Sequence, residues 1–172
     1  TPHDKLIPWE NATLPSQGIY YNWTSGTVAV RAWGMSVDKI LANQRLVQSG
    51  QAVEKILEQC CRFPEGFSTG DLLVGDQVYL LYYLRGITHG NNYEFLLTCP
   101  MCKAACPNVV DLNELASTVK GADSSLGPEP FNVVLPYLSS QLGRDVSVGV
   151  RFLRVKDVQN IGRIERARNR SR

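Results

Sequence analysis

Between Gln77 and Thr88 the chain is apolar nearly all round, with Val78, Tyr79, Leu80, Leu81, Tyr82, Tyr83, Leu84 and Ile87 in one run. A helix without a polar face is either central to its own core or covered by a second chain. Asp76 stands where a cap belongs. Tyr79, Tyr82 and Tyr83 each bring a hydroxyl that needs a partner, which favours a wet or intermolecular edge. Upstream, Val28 and Val30 alternate with Ala29 and Arg31, so a strand with one buried face is predicted. Its expected hairpin partner is the aromatic, β-branched stretch Ile19 to Trp23, across the turn residues Thr24-Ser25-Gly26. Ser36 is placed to cap a helix bearing Val37, Ile40 and Leu41. Ser49-Gly50 breaks that run. A second helix then carries Val53, Ile56, Leu57, Cys60 and Cys61 on one side, as far as Phe63-Pro64-Glu65-Gly66.

Beyond the apolar helix, Tyr93 to Thr98 reads as a strand entering a cysteine turn, with Asn108 to Asp111 returning antiparallel. Phe131 to Leu135 and Val146 to Leu153 predict a further hairpin. Lys156 to Arg168 predicts a terminal helix with Val158, Ile161 and Ile164 on one face. An internal echo runs through this pattern: Leu14-Pro15 then Val28-Ala29-Val30-Arg31 recurs as Leu135-Pro136 then Val148-Gly149-Val150-Arg151. The expected fold is α+β, with two β-hairpin–helix units flanking a helical middle and a short cysteine-bearing hairpin, an incomplete zinc ribbon. Its expected divisions are an N-terminal arm at 1–13, a core at 14–120 with the cysteine turn at 99–106, a loop at 121–130, and a second hairpin–helix unit with a basic tail at 131–172.

A chain of 172 residues with 44% apolar and 20% charged residues suits one compact domain. No run of apolar residues reaches the ~18 that a membrane span needs, and Thr1-Pro-His-Asp-Lys5 has no apolar leader, so synthesis in the cytoplasm is expected. The net charge of +2 hides an uneven spread. Residues 151–172 carry eight Lys or Arg against Asp157 and Glu165, so 8 − 2 = +6 there and −4 elsewhere. Arg163, Arg166, Arg168 and Arg170 form a solvated helix face, a surface for an acidic protein, or a nucleic-acid contact.

Cys99, Cys102 and Cys106 have the spacing C-x2-C-x3-C. A pair two residues apart on a tight turn aims both sulfurs at one tetrahedral metal. Three thiolates require a fourth ligand, which Cys60, Cys61, His89 or Asp111 would have to supply. Structural zinc, reduced unligated thiols and a disulfide all fit this pattern. Enzyme constellations are missing. There are two histidines, His3 in the arm and His89 at a helix end, and no phosphate loop or nucleophile elbow. Arg85 interrupts the apolar helix and is expected to reach a carboxylate or to cap backbone carbonyls. Arg31 invites the same reading.

Seven pieces in order carry a resemblance: Leu14-Pro15-Ser16-x-Gly18, Val28-x-Val30-Arg31, Leu46-x-x-Ser49-Gly50, Leu72-Leu73-Val74-Gly75-Asp76, Leu84-Arg85-x-x-Thr88-x-Gly90-x-x-Tyr93, Cys99-Pro100-x-Cys102 and Asp111-Leu112. Together they resemble the T4-type bacteriophage baseplate protein family, whose members act in assembly of the tail baseplate hub. The similarity is clearest over residues 14 to 115. It implies a non-enzymatic protein of a contractile tail, either a baseplate part or an assembly chaperone that leaves. It also implies residence in the virion tail, and partners among other baseplate or tail proteins or further copies of the chain. Gly75, Asp76, Arg85, Gly90, Cys99 and Cys102 then look like determinants of the fold, and zinc is the one cofactor to consider. A zinc-knuckle module that binds nucleic acid is the alternative.

Overall fold

The computed structural model describes residues 6–23 and 25–170, apart from the side chains of residues 166, 167, 169 and 170. His3 therefore lies outside the described residues, as do the side chains of Arg166 and Arg170. Among the described residues the chain is a mixed α+β fold of seven α-helices and three small antiparallel sheets.

The first sheet joins β1 (Glu10–Thr13), β2 (Thr27–Val30) and β3 (Cys61–Arg62), in that order. The expectation of a strand at 19–23 is corrected here. Ile19–Tyr21 is a 3-10 turn, and the partner of β2 is β1, inside the stretch read as an unstructured arm. Ala12 and Leu14 explain the pairing, because they bury against the same core as Val28 and Val30. The polar residues around them hid that short alternation. The connection from 14 to 26 folds back on itself with Gly26 packed directly on the Gln17 backbone, where a Cβ would come within 2.6 Å.

Three helices follow: α1 (Met35–Ala42), α2 (Gln44–Ser49) and α3 (Gln51–Cys60). Helix α1 starts one residue ahead of Ser36, which therefore is not its cap. Asn43 ends α1 and caps α2, accepting from the Arg45 and Leu46 N–H groups. Gly50, at φ 77°, sits in the left-handed conformation between α2 and α3. Ala52, Ile56, Leu57 and Cys60 of α3 face inward, and Cys61 is buried on β3 instead of continuing the helix.

Helix α4 (Val74–His89) begins before Asp76, so Asp76 lies within its first turn instead of capping it. Asp76, Leu80 and Leu84 recur every four residues and are fully buried, while Val78 and Tyr82 are exposed. The apolar helix thus divides into a core face and an open face. A buried leucine of this kind contributes about 1.5–3 kcal/mol. The core is completed by Leu72, Val155 and the inward residues of β1, β2, α1 and α3.

Strands β4 (Asn92–Thr98) and β5 (Ala105–Asp111) form the second sheet, with Cys99–Ala104 at its tip, and α5 (Leu112–Thr118) returns beside α4. The third sheet pairs β6 (Phe131–Val134) with β7 (Ser147–Val150). Helix α6 (Pro136–Leu142) lies between them, with Pro136 in its first turn, and was missed by the pattern reading. Helix α7 (Val155–Arg170) ends the described chain.

Candidate functional site

No described helix is long and apolar enough to cross a membrane. An apolar groove of about 590 Å³ lies between α4 and α5. Tyr79, Tyr82 and Tyr83 line it, facing Leu112, Leu115 and Val119. The Tyr79 and Tyr83 rings stand 6.1 Å apart. Burial, then the nearby Glu10 carboxylate, raises the Tyr83 phenol above its ordinary value. The three tyrosines singled out from sequence therefore share one groove wall.

Asp76 is the polar centre of the core. Its Oδ1 accepts the Ser16 N–H at 3.0 Å, and its Oδ2 accepts the Tyr21 hydroxyl at 2.5 Å. Tyr21 Oη in turn accepts the Leu73 N–H at 2.7 Å. Burial comes first, and the Asp76 carboxylate adds to it, so the Tyr21 phenol is held well above its ordinary value. The first turn of α4 and the loop after β1 are thereby locked to one another. Gly75 lies on the groove side with open space around it, so crowding does not require a glycine there. Arg85 donates to the Gly90 carbonyl at 3.0 Å and lies over the Tyr93 ring at 5.7 Å. It caps backbone, as one of the two readings expected, and Gly90 needs its freedom at φ 85°. Arg31 donates to the Gln59 carbonyl at 3.1 Å and lies over Trp9. His89 packs edge-on against Trp33 in the last turn of α4.

At the cysteine turn, the Cys99 N–H donates to the Ala104 carbonyl and the Lys103 N–H to the Cys99 carbonyl, both at 2.9 Å. Lys103 takes a left-handed conformation at φ 60°. The N–H groups of Cys102 and then Met101 point at the Cys99 sulfur and hold its thiol below the usual cysteine range. Cys102 and Cys106 are exposed and Cys99 is partly so. Among the described residues, no three Cys, His, Asp or Glu side chains are gathered as a metal site. The strands that carry the turn also expose Leu96, Leu97 and Val109, with Met101 exposed at its tip.

The second hairpin is fastened to the core by residues that the sequence reading did not single out. Arg154 pairs with Glu129 at 2.8 Å and also donates to the Tyr20 carbonyl, and Glu129 accepts the Phe152 N–H. Tyr20, Phe131 and Phe152 pack as a ring cluster. The Val155 N–H bonds the Leu72 carbonyl at 2.9 Å, and Lys156 pairs with Asp71. These partners lie far apart in sequence, and no local spacing signals them. Farther along α7, Arg163 reaches Asn160, and Arg168 is exposed.

A family model described as T4 bacteriophage base plate protein matches residues 13–142, well over half of the chain. The match runs from the last residue of β1 through α6 and so includes the Asp76 lock, the tyrosine groove and the cysteine turn. Comparison with curated proteins and with solved structures finds no match. The chain belongs to the T4 bacteriophage base plate protein family.

Proposed function

We propose that the chain is a non-enzymatic piece of the hub region of a contractile tail baseplate, working through contacts with other tail proteins. The observation that carries this is the surface of its second half. Leu96, Leu97, Met101, Val109, Leu126, Tyr137 and Leu142 are all exposed. The β4–β5 hairpin has solvent on both faces for most of its length. A two-stranded hairpin in water is marginal by itself, and clustered exposed apolar residues mark an interaction surface. The groove between α4 and α5 adds a concave apolar face. Mass spectrometry of purified tails and of their assembly intermediates tests the reading. The chain should be found with tail proteins in at least one of them, and its absence from both would overturn it. Presence in intermediates alone would mark an assembly factor that departs.

For the cysteine turn we propose a bracing role. Cys99 and Cys102 offer two thiolates, half of a tetrahedral zinc shell, and a neighbouring chain would have to complete it. A nucleic-acid role finds less support, because Lys103 is the one basic residue between Cys99 and Cys106.

A further inference from the structure

We infer that Cys99 and Cys102 are one half of a zinc site whose other half is the same pair in a second copy of the chain, so that two hairpin tips are joined through one four-thiolate ion. The inference deepens the bracing role proposed for the cysteine turn and rests on it.

The turn already gathers its two sulfurs. Strands β4 and β5 stay paired as far as Thr98 and Ala105, and the Cys99 N–H then bonds the Ala104 carbonyl. Lys103 holds a left-handed conformation at φ 60°, which residues with a side chain seldom adopt. The Cys102 thiol comes within hydrogen-bond reach of the Cys99 sulfur, and neither residue is in a disulfide. The N–H groups of Cys102 and Met101 point at that same sulfur. A thiol is a weak acceptor, whereas a metal-bound thiolate is fixed by such backbone bonds. An uncommon backbone conformation kept at an exposed tip points to function there.

Zinc in a structural site takes four protein ligands in a tetrahedron. The other candidates in this chain are engaged or distant. Cys60 and Cys61 are buried in the core. His89 packs against Trp33. Asp111 stands at the opposite end of the hairpin, paired with Asn92, and caps α5. The Cys106 thiol donates to the Ala104 carbonyl at 3.9 Å. Among the described residues no three Cys, His, Asp or Glu side chains form a metal site, so two ligands must come from outside the chain.

A second copy suits the tip in shape, surface and charge. The hairpin strands pack on each other and, near the base, on α5. A seven-residue strand spans about 23 Å, so two tips can meet while the bodies stay apart. Leu96, Leu97 and Met101 at the tip are 71%, 52% and 89% exposed. A two-fold contact sets such a patch against itself, and an apolar patch is complementary to its own copy. Zinc with four thiolates is a dianion. Lys103 is the one charged residue between Glu94 and Asp111, so two copies supply the two cations that balance it.

The test takes the full chain, reduced and stripped of metal by a chelator, and adds zinc. Light scattering should show the mass doubling with zinc and reverting on chelation, and elemental analysis should find one zinc per two chains. Cobalt(II) in place of zinc should give the intense visible absorption of a tetrahedral thiolate site. Cys99→Ser and Cys102→Ser should each abolish the zinc-dependent doubling with circular dichroism unchanged, because the turn is exposed, and Cys106→Ser should retain it. One zinc per monomeric chain, doubling that survives either of the first two substitutions, or its loss with Cys106→Ser would overturn the inference. Failure of the chain alone to take up zinc would also overturn it. Zinc then found at Cys99 and Cys102 in complexes with a different tail protein would leave the bracing role standing, and zinc in neither setting would overturn both.

Discussion

Tyr21 donates its hydroxyl proton to Asp76 Oδ2 at 2.5 Å across 55 positions of sequence. The Tyr21 hydroxyl oxygen in turn accepts the Leu73 N–H at the start of α4. One phenol thus ties the loop after β1 to the helix that separates core from groove. Tyr21→Phe should cost about 1.5–3 kcal/mol, because it removes a bond to a buried carboxylate and strands an N–H. Asp76→Ala should cost about 3–4 kcal/mol, since it strands both the Ser16 N–H and the tyrosine hydroxyl. Urea unfolding of both single variants and the double variant checks the link. The double loss should fall short of the sum by at least about 1 kcal/mol. Strict additivity would show that the two groups act separately.

Burial, with the Cys60 sulfur next to it, pushes the Cys61 thiol up to about 12. Its ordinary value is 9.0, so the folded state holds this proton more tightly than the unfolded chain does. The stability this contributes is complete below about pH 9 and is lost as pH rises from there toward 12. Over that window the loss approaches about 1.4 kcal/mol per pH unit at most. Cys61→Ala should start less stable at pH 7 and show a shallower alkaline decline. Unfolding midpoints measured from pH 7 to 11 provide the check, and parallel declines would refute the assignment.

Glu129 and Arg154 pair across the base of the second hairpin, Arg154 carries the contact on to the Tyr20 carbonyl, and both side chains are largely shielded from solvent. Glu129→Gln should weaken the Arg154 contact and the bond from the Phe152 N–H. We expect about 1–2 kcal/mol of local loosening. Hydrogen exchange should quicken across residues 131–153 and stay unchanged at Val28 and Leu80. Equal quickening in both regions would mean that this pair supports the whole fold.

The cysteine turn is exposed, so Cys99→Ser or Cys102→Ser should shift the stability of the isolated chain by no more than about 0.5 kcal/mol. Zinc measured by elemental analysis in complexes with partner proteins should drop out with either substitution and persist with Cys106→Ser. Zinc loss in the Cys106 variant, or retention in the other two, would contradict the proposed two-thiolate share.

Much of this architecture was legible because local chemistry decided it. The period of Val28 and Val30 marks β2, and Ser49-Gly50 marks the joint between α2 and α3. The paired strands around Cys99 and Cys102 follow from alternation and turn residues. The failures share a cause, which is that tertiary partners set the outcome. Ala12 and Leu14 make β1 a strand only because α3 and α4 complete the core around them. Asp76 looks like a cap from its neighbours, yet its partners are Ser16 and Tyr21, far away in sequence. The three groove tyrosines were visible as hydroxyls that need partners on an otherwise apolar helix. Glu129 and Arg154 were not, because a pair 25 positions apart with no periodic context leaves no local signature.

The central claim is that this baseplate-family chain acts by contact through its open second half. Amide hydrogen exchange of the chain alone and within a purified tail assembly intermediate tests it most directly. The account predicts slower exchange along residues 92–111 and along the walls of the α4–α5 groove once the chain is assembled, with the core around Leu57 and Leu80 unchanged. Identical exchange in both states across residues 92–119 would contradict it.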